Sequence, residues 1–207
     1  MDISCIVLAG GRGARLGYNK AQVIVGKKSL FQRVLHSIGF VKGEVIVVIS
    51  EKQPFAWLIG YPRHKIVTDI YPGRGPLGGI FTGLIVSKSL YNLVVACDMP
   101  FLNQALLSYM IQLAAGFDMV IPRLDDMVEP LHAVYSKNCL APIEHMIKQD
   151  NLSVNRLLSL VTVRYVDNDE IERFDPKHLS FFNINTEADL KTARELVRRG
   201  ENANANC

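Results

Sequence analysis

Three apolar runs, Ile3–Ala9, Glu44–Ile49 and Tyr91–Ala96, constrain this chain more than any other feature. Each has the length of a strand and lacks a polar face, as expected of strands covered on both sides. The stretches between them carry helical spacing. Ser29 is placed to cap a helix with Leu30, Val34, Leu35 and Ile38 on one face, and Pro76 suits the first turn of another that reaches Ser87. Strands alternating with helices predict an α/β fold, a three-layer α/β/α sandwich around a mostly parallel central sheet.

Further strands are expected at Lys65–Thr68, Asp118–Ile121, Leu131–Tyr135, Val161–Val166 and Phe181–Ile184, with a short extended segment at Ala21–Val25. Asn103 should cap a helix, and others are expected over Asn138–Lys148, Ser153–Leu160 and Thr186–Arg199. In the last, Thr186 and Asp189 have capping-box spacing. A chain of 207 residues, 49% hydrophobic, can form one domain with a large core. Residues 1–199 are read as that domain, and the polar tail 200–207 as disordered.

Sheets of this type bind ligands beyond the carboxyl ends of their strands. The first strand runs into Gly10-Gly11-Arg12-Gly13-Ala14-Arg15-Leu16-Gly17-Tyr18-Asn19-Lys20. Glycines let backbone N–H groups close on a ligand, and cations among them suit a phosphate chain. Asp69 follows the third strand and opens a second glycine-rich loop through Gly79. Asp98 follows the Tyr91–Ala96 strand. A carboxylate there suits Mg²⁺, which takes one or two carboxylates together with substrate phosphates; otherwise it is a turn aspartate satisfied by N–H groups. Asp69 reads equally as a second ligand, a nucleotide or acceptor contact, or a structural turn residue.

The first loop is not a P-loop, because Ala21 stands where the first glycine should be and Lys28 follows Gly26-Lys27. Nor is it the dinucleotide fingerprint, since Leu16 holds the third glycine position. A net charge of +3 without a basic run implies no nucleic-acid partner. No apolar run reaches the roughly 18 residues of a membrane span. Met1–Cys5 has no signal-peptide pattern. The four cysteines form no C-x-x-C pair and the five histidines lack metal-ligand spacing, so a cytoplasmic protein with reduced thiols is expected.

Leu8-Ala-Gly-Gly-Arg-Gly-Ala-Arg-Leu-Gly-Tyr-Asn-Lys20 resembles the L-x-G-G-x-x-x-R-M-G-x-x-K signature of the Rossmann-like nucleotidyltransferases, and within them the molybdenum cofactor guanylyltransferase family. Gly75-Pro-Leu-Gly-Gly79, Cys97-Asp-Met-Pro-Phe101, Pro130-Leu-His-Ala-Val-Tyr135 and Asn183-Ile-Asn-Thr186 resemble further motifs of that family, in family order along nearly the whole chain. Leu16 departs from the usual methionine and Gly78 from a usual alanine. Ile49–Ser50 stands where some members carry an asparagine near the base, which leaves the base choice open.

The resemblance implies transfer of GMP from GTP to the phosphate of Mo-molybdopterin, with Mg²⁺ as cofactor and pyrophosphate as product. It leaves a CTP-dependent or sugar-phosphate transferase, or a silent nucleotide-binding module, as alternatives. On the matching positions, Leu8, Ala9 and Gly10 would meet the guanine, and Gly11, Gly13 and Arg15 the triphosphate. Lys20 would neutralise phosphate charge or position the acceptor. Asp69 would contact the nucleotide and Asp98 the metal. Arg15, Lys20 and Asp98 form the implied catalytic set. Gly78, Asn183 and Asn185 fall on the acceptor side, although the two asparagines also suit a structural turn. Molybdoenzymes or other cofactor-biosynthesis proteins are the implied protein partners.

Overall fold

A computed structural model describes residues 2–10, 20–50 and 56–204. Along the chain run β1 (Ile3–Leu8), β2 (Ile24–Val25), β3 (Lys28–Ser29), α1 (Leu30–Ser37), β4 (Val45–Ile49), β5 (Lys65–Thr68), α2 (Gly75–Val86), β6 (Tyr91–Ala96) and α3 (Gln104–Gln112). They are followed by β7 (Met119–Leu124), β8 (Met127–Val128), β9 (His132–Ser136), α4 (Leu140–Lys148), α5 (Val154–Leu158), β10 (Val163–Val166), α6 (Asn168–Glu172) and α7 (Glu187–Asn204). The main sheet has the order β10-β7-β9-β6-β1-β4-β5, with β8 paired to β7. Strand β1 is parallel to both β4 and β6, β4 to β5, and β7 to β10. Only β9 and the short β8 run the other way, so the sheet is mostly parallel as expected.

Alternation along β1 explains the three layers. Cys5 and Val7 face a core that includes Phe31 and Val34 of α1 and Leu106 and Met110 of α3. Ile6 faces the opposite core, with Leu77, Ile80 and Leu84 of α2 and Ile143 and Met146 of α4. Each such side chain contributes about 1.5–3 kcal/mol by leaving water. Helix α2 lies very close to the sheet, since a Cβ on Gly83 would stand 2.4 Å from Ile6 Cγ2. A third cluster ties Val25 and Leu30 to Ile184, Leu190 and Ala193, docking α7 beside β2 and β3.

The caps follow the sequence. Ser29 Oγ accepts from the Gln32 N–H in a capping box, and Asn103 Oδ1 accepts from the N–H groups of Ala105 and Leu106. Thr186 Oγ1 accepts from the Asp189 N–H at 3.1 Å, while Asp189 Oδ2 accepts from the Thr186 N–H at 2.8 Å.

Several expected elements differ. Phe181–Ile184 is not a strand: a 3-10 turn covers Leu179–Phe181, and Ile184 turns into the third cluster. An apolar run of four residues has no periodicity long enough to tell the two apart. Strand β7 continues through Pro122 to Leu124 and folds back into β8, so most of the segment between the expected strands Asp118–Ile121 and Leu131–Tyr135 is a hairpin. Lys20–Gln22 forms a 3-10 turn in place of an extended start. Helix α7 continues past Arg199 to Asn204, into the segment read as a tail. No described helix is long and apolar enough to cross a membrane.

Candidate active site

The parallel strands β1, β4, β5 and β6 end on one side of the sheet, and a cleft of about 760 Å³ opens there. Its walls include Leu8 at the end of β1 and Gly10 after it, Ser50 after β4, Asp69 after β5, Gly73, Gly75 and Pro76 before and within α2, and Cys97 and Asp98 after β6. These are the strand ends at which the sequence placed its loops. Gly11, Gly13 and Arg15 of the expected triphosphate cradle lie outside the described residues, as does Arg12.

Lys20, 78 residues before Asp98, reaches the same floor. Its Nζ donates to Asp98 Oδ2 at 3.0 Å and to Asn185 Oδ1 at 2.7 Å. The side chains of Lys20 and Asp98 are only 12% and 21% exposed, so solvent screens this pair less than a surface pair. The chain around Asn185 is fixed from two directions. The Ile184 N–H donates to Asp98 O at 3.0 Å, and the Asn185 N–H to Asp189 Oδ2 at 2.9 Å. The Asn185 N–H, with the hydroxyl and N–H of Thr186, holds the Asp189 carboxyl below the usual carboxylate range. The sequence set Asn185 on the acceptor side; the structure brings it to Lys20.

Asp69 is anchored by its own turn. Its Oδ1 accepts from the Tyr71 N–H at 2.9 Å and from the Thr82 hydroxyl at 3.0 Å. The structural role of Asp69 is therefore present, and its place on the cleft wall keeps the ligand role beside it. Among the described residues, Asp69 Oδ2 and Asp98 Oδ1 accept no hydrogen bond. Gly78 is buried beneath Asp69 and does not line the cleft. At the other wall, the Ala9 N–H is taken by Val48 O and Leu8 O accepts from the Cys97 N–H. Ala9 is buried, and Leu8 and Gly10 are the parts of that segment on the cleft surface. A Cβ on Gly10 would stand 2.8 Å from Ser50 N, so any side chain there would push the two strand ends apart.

Asn183 stands farther back. Its Nδ2 donates to Phe181 O at 3.3 Å, and its side chain is near enough to Glu129 to favour that carboxylate's charged form. Glu129 was not singled out in the sequence, although it directly precedes the Pro130–Tyr135 motif. Burial raises its pKa, and the negative charge of Asp98 adds to the effect. The thiol of Cys97 is pushed up by burial and is no nucleophile near neutrality. His132 is fully buried against Phe181, and burial holds it down to about 4, so it is neutral near pH 7. Neither side chain offers nucleophilic or acid–base chemistry, and among the described residues the charged groups that line the cleft are Lys20, Asp69 and Asp98.

Residues 5–165 match the MobA-like NTP transferase domain. The chain belongs to this family. It is 40% identical over 197 residues to a protein of Methanosarcina mazei named probable molybdenum cofactor guanylyltransferase, covering 91% of this chain and 88% of that one. It is 31% identical over 200 residues to the molybdenum cofactor guanylyltransferase of Desulfosudis oleivorans, covering 96% and 97%. Among solved structures, the molybdopterin-guanine dinucleotide biosynthesis protein A of Archaeoglobus fulgidus superposes with a TM-score of 0.82 at 30% identity, covering 95% of this chain and 99% of that one. The MobA-like domain spans the strands that build the cleft, from β1 through β10, and leaves α7 with Asn185 beyond its end.

Proposed function

We propose that this chain transfers GMP from GTP to the terminal phosphate of Mo-molybdopterin, forming the guanine dinucleotide cofactor and releasing pyrophosphate. The observation that carries this reading is the Lys20–Asp98 pair, set at the floor of a cleft walled by glycine-rich strand ends. Relatives named for this activity cover nearly the whole chain and support the choice of substrates.

The residues fit a divalent cation of the magnesium type. Among the described residues no three His, Cys, Asp or Glu side chains converge, which suits a metal that completes its shell with phosphate oxygens and water. Asp98 would hold it, and Asp69 Oδ2 is a candidate second oxygen. Bound there, Mg²⁺ would supply charge neutralisation to the triphosphate.

The protein's own part is alignment and electrostatics. The acceptor phosphate is already an anion, so its attack on the α-phosphorus needs no general base. This agrees with a cleft in which Cys97 is protonated and His132 is buried away. Gly10 and Ser50 would border the base, and Arg15 with the Gly11 and Gly13 amides would hold the phosphates. Lys20 would stabilise charge on the oxygens in flight. Asn183 and the 129–131 segment would border the pterin. The three buried free thiols Cys5, Cys97 and Cys139 suit a reducing cytoplasm.

Pyrophosphate release measured with GTP, CTP, ATP and UTP, with and without Mo-molybdopterin, tests the reading. Acceptor-dependent release with GTP alone is expected. Release with CTP alone would make the chain a cytidylyltransferase, and binding of GTP without release would make it a binding module.

A further inference from the structure

Lys20 occupies the carboxylate that a metal would need. Its ammonium lies 3.0 Å from Asp98 Oδ2, and a divalent cation on either oxygen of that carboxylate would stand close enough to the ammonium to repel it strongly. The second anchor of Lys20 is the shorter one, 2.7 Å to the neutral amide oxygen of Asn185. Asn185 is well placed to hold it. Its N–H is bonded to Asp189 at the start of α7, the preceding residue is bonded to the backbone of Asp98, and Ile184 is buried in the third cluster. The amide is thus fixed relative to Asp98 by the same segment.

We propose that Asn185 is a positioning residue for Lys20. It holds the ammonium against Asp98 while no divalent cation is bound, and it retains the ammonium in the cleft once a cation takes the carboxylate. Two consequences follow from the geometry. Free metal competes with a tethered lysine for Asp98, so it binds the nucleotide-free protein weakly. Displaced Lys20 keeps a longer, weaker bond to the Asn185 oxygen, so the amide favours the metal-free state yet still keeps the ammonium within reach of the phosphates. This assigns Asn185 to the lysine and not to the acceptor. It rests on the proposed transferase reading only for the identity of the reaction; the competition for Asp98 is a property of the nucleotide-free protein.

Mn²⁺ is the probe, titrated into nucleotide-free protein and followed by the electron paramagnetic resonance of the free ion. Asn185→Ala should bind Mn²⁺ about fivefold more tightly than wild type, the scale of one charge-assisted hydrogen bond at a partly exposed site. Lys20→Met should bind it at least as tightly as Asn185→Ala. Adding Asn185→Ala to Lys20→Met should change nothing further, because the amide acts through the lysine. With GTP and acceptor, Asn185→Ala should lower kcat and leave the acceptor KM near the wild-type value. Unchanged Mn²⁺ affinity in Asn185→Ala overturns the proposal, as does an equal gain in the Lys20→Met background or no Mn²⁺ binding in any variant. A raised acceptor KM with unchanged kcat also overturns it and returns Asn185 to the acceptor. If the wild type released no pyrophosphate with any nucleotide, the transferase reading would fall while the Mn²⁺ cycle still decided the role of Asn185.

Discussion

The carboxylate of Asp69 rests on the bare backbone of Gly78. A Cβ on Gly78 would stand 3.1 and 3.2 Å from the two carboxylate oxygens and 2.7 Å from Tyr71 O. The family resemblance implies an acceptor role for Gly78, but the geometry makes this glycine the support of Asp69, for which a nucleotide contact is proposed. Gly78→Ala should therefore cost about 1–3 kcal/mol in urea unfolding, because a backbone oxygen cannot rotate away. It should also raise the KM for GTP more than that for the acceptor. An effect confined to the acceptor KM would count against this assignment.

Asp69 itself combines a turn with a charge, and two variants separate them. Asp69→Asn keeps an oxygen for the Tyr71 N–H and the Thr82 hydroxyl, so its stability should stay within about 1 kcal/mol of wild type. Asp69→Ala loses both bonds and should cost about 1–3 kcal/mol. If the charge serves the nucleotide, both variants should lose kcat/KM for GTP to a similar extent. Full activity in Asp69→Asn would leave the residue a structural turn.

Asp98→Asn should reduce acceptor-dependent pyrophosphate release by about 10²-fold or more, the scale of losing one electrostatic contact to the reacting centre. Its melting temperature should shift little, since a partly exposed ion pair contributes about 1 kcal/mol or less. Chelation with EDTA should stop the wild-type reaction, and added Mg²⁺ should restore it. Wild-type turnover in Asp98→Asn would refute the metal assignment.

His132 makes the fold acid-sensitive. In the unfolded chain its pKa is near 6.5, and in the folded protein burial holds it down to about 4. Between those values the unfolded state binds more protons, so stability is fully present above about pH 6.5 and falls as the pH drops towards 4. Denaturant unfolding at pH 5 should give about 2 kcal/mol less stability than at pH 7 from this residue. His132→Leu should flatten that part of the profile, and an unchanged slope would locate the acid sensitivity elsewhere.

The strand ends and the first loop were readable because their signals are local. An apolar run followed by glycine or aspartate announces a buried strand and what it delivers. Lys20 and Asp98 were both chosen from their motifs, and the parallel sheet brings them together. The link between Lys20 and Asn185 was not readable, because 165 residues separate them and only the docking of α7 closes the gap. The turns at Ala56–Gly60 and Leu179–Phe181 and helix α6 were missed, since segments of three to five residues are too short for a periodic signal. Phe181–Ile184 was read as a strand from its apolar content, but that content serves a cluster outside the sheet. Glu129 carried no signal, since its environment comes from burial and from Asp98 and Asn183.

Strand β9 runs against both of its neighbours, pairing His132 with Val95 and Ser136 with Tyr91. Its reversal brings Leu131, just before β9, to the carboxyl end of β6, where Leu131 O accepts from the Ala96 N–H. Among the described residues, the cleft is lined almost wholly by strands and loops of the first hundred residues, and the reversed β9 adds Leu131 at its edge. A change in the segment that leads into β9 would therefore alter that edge and leave the strand order beneath the cleft intact.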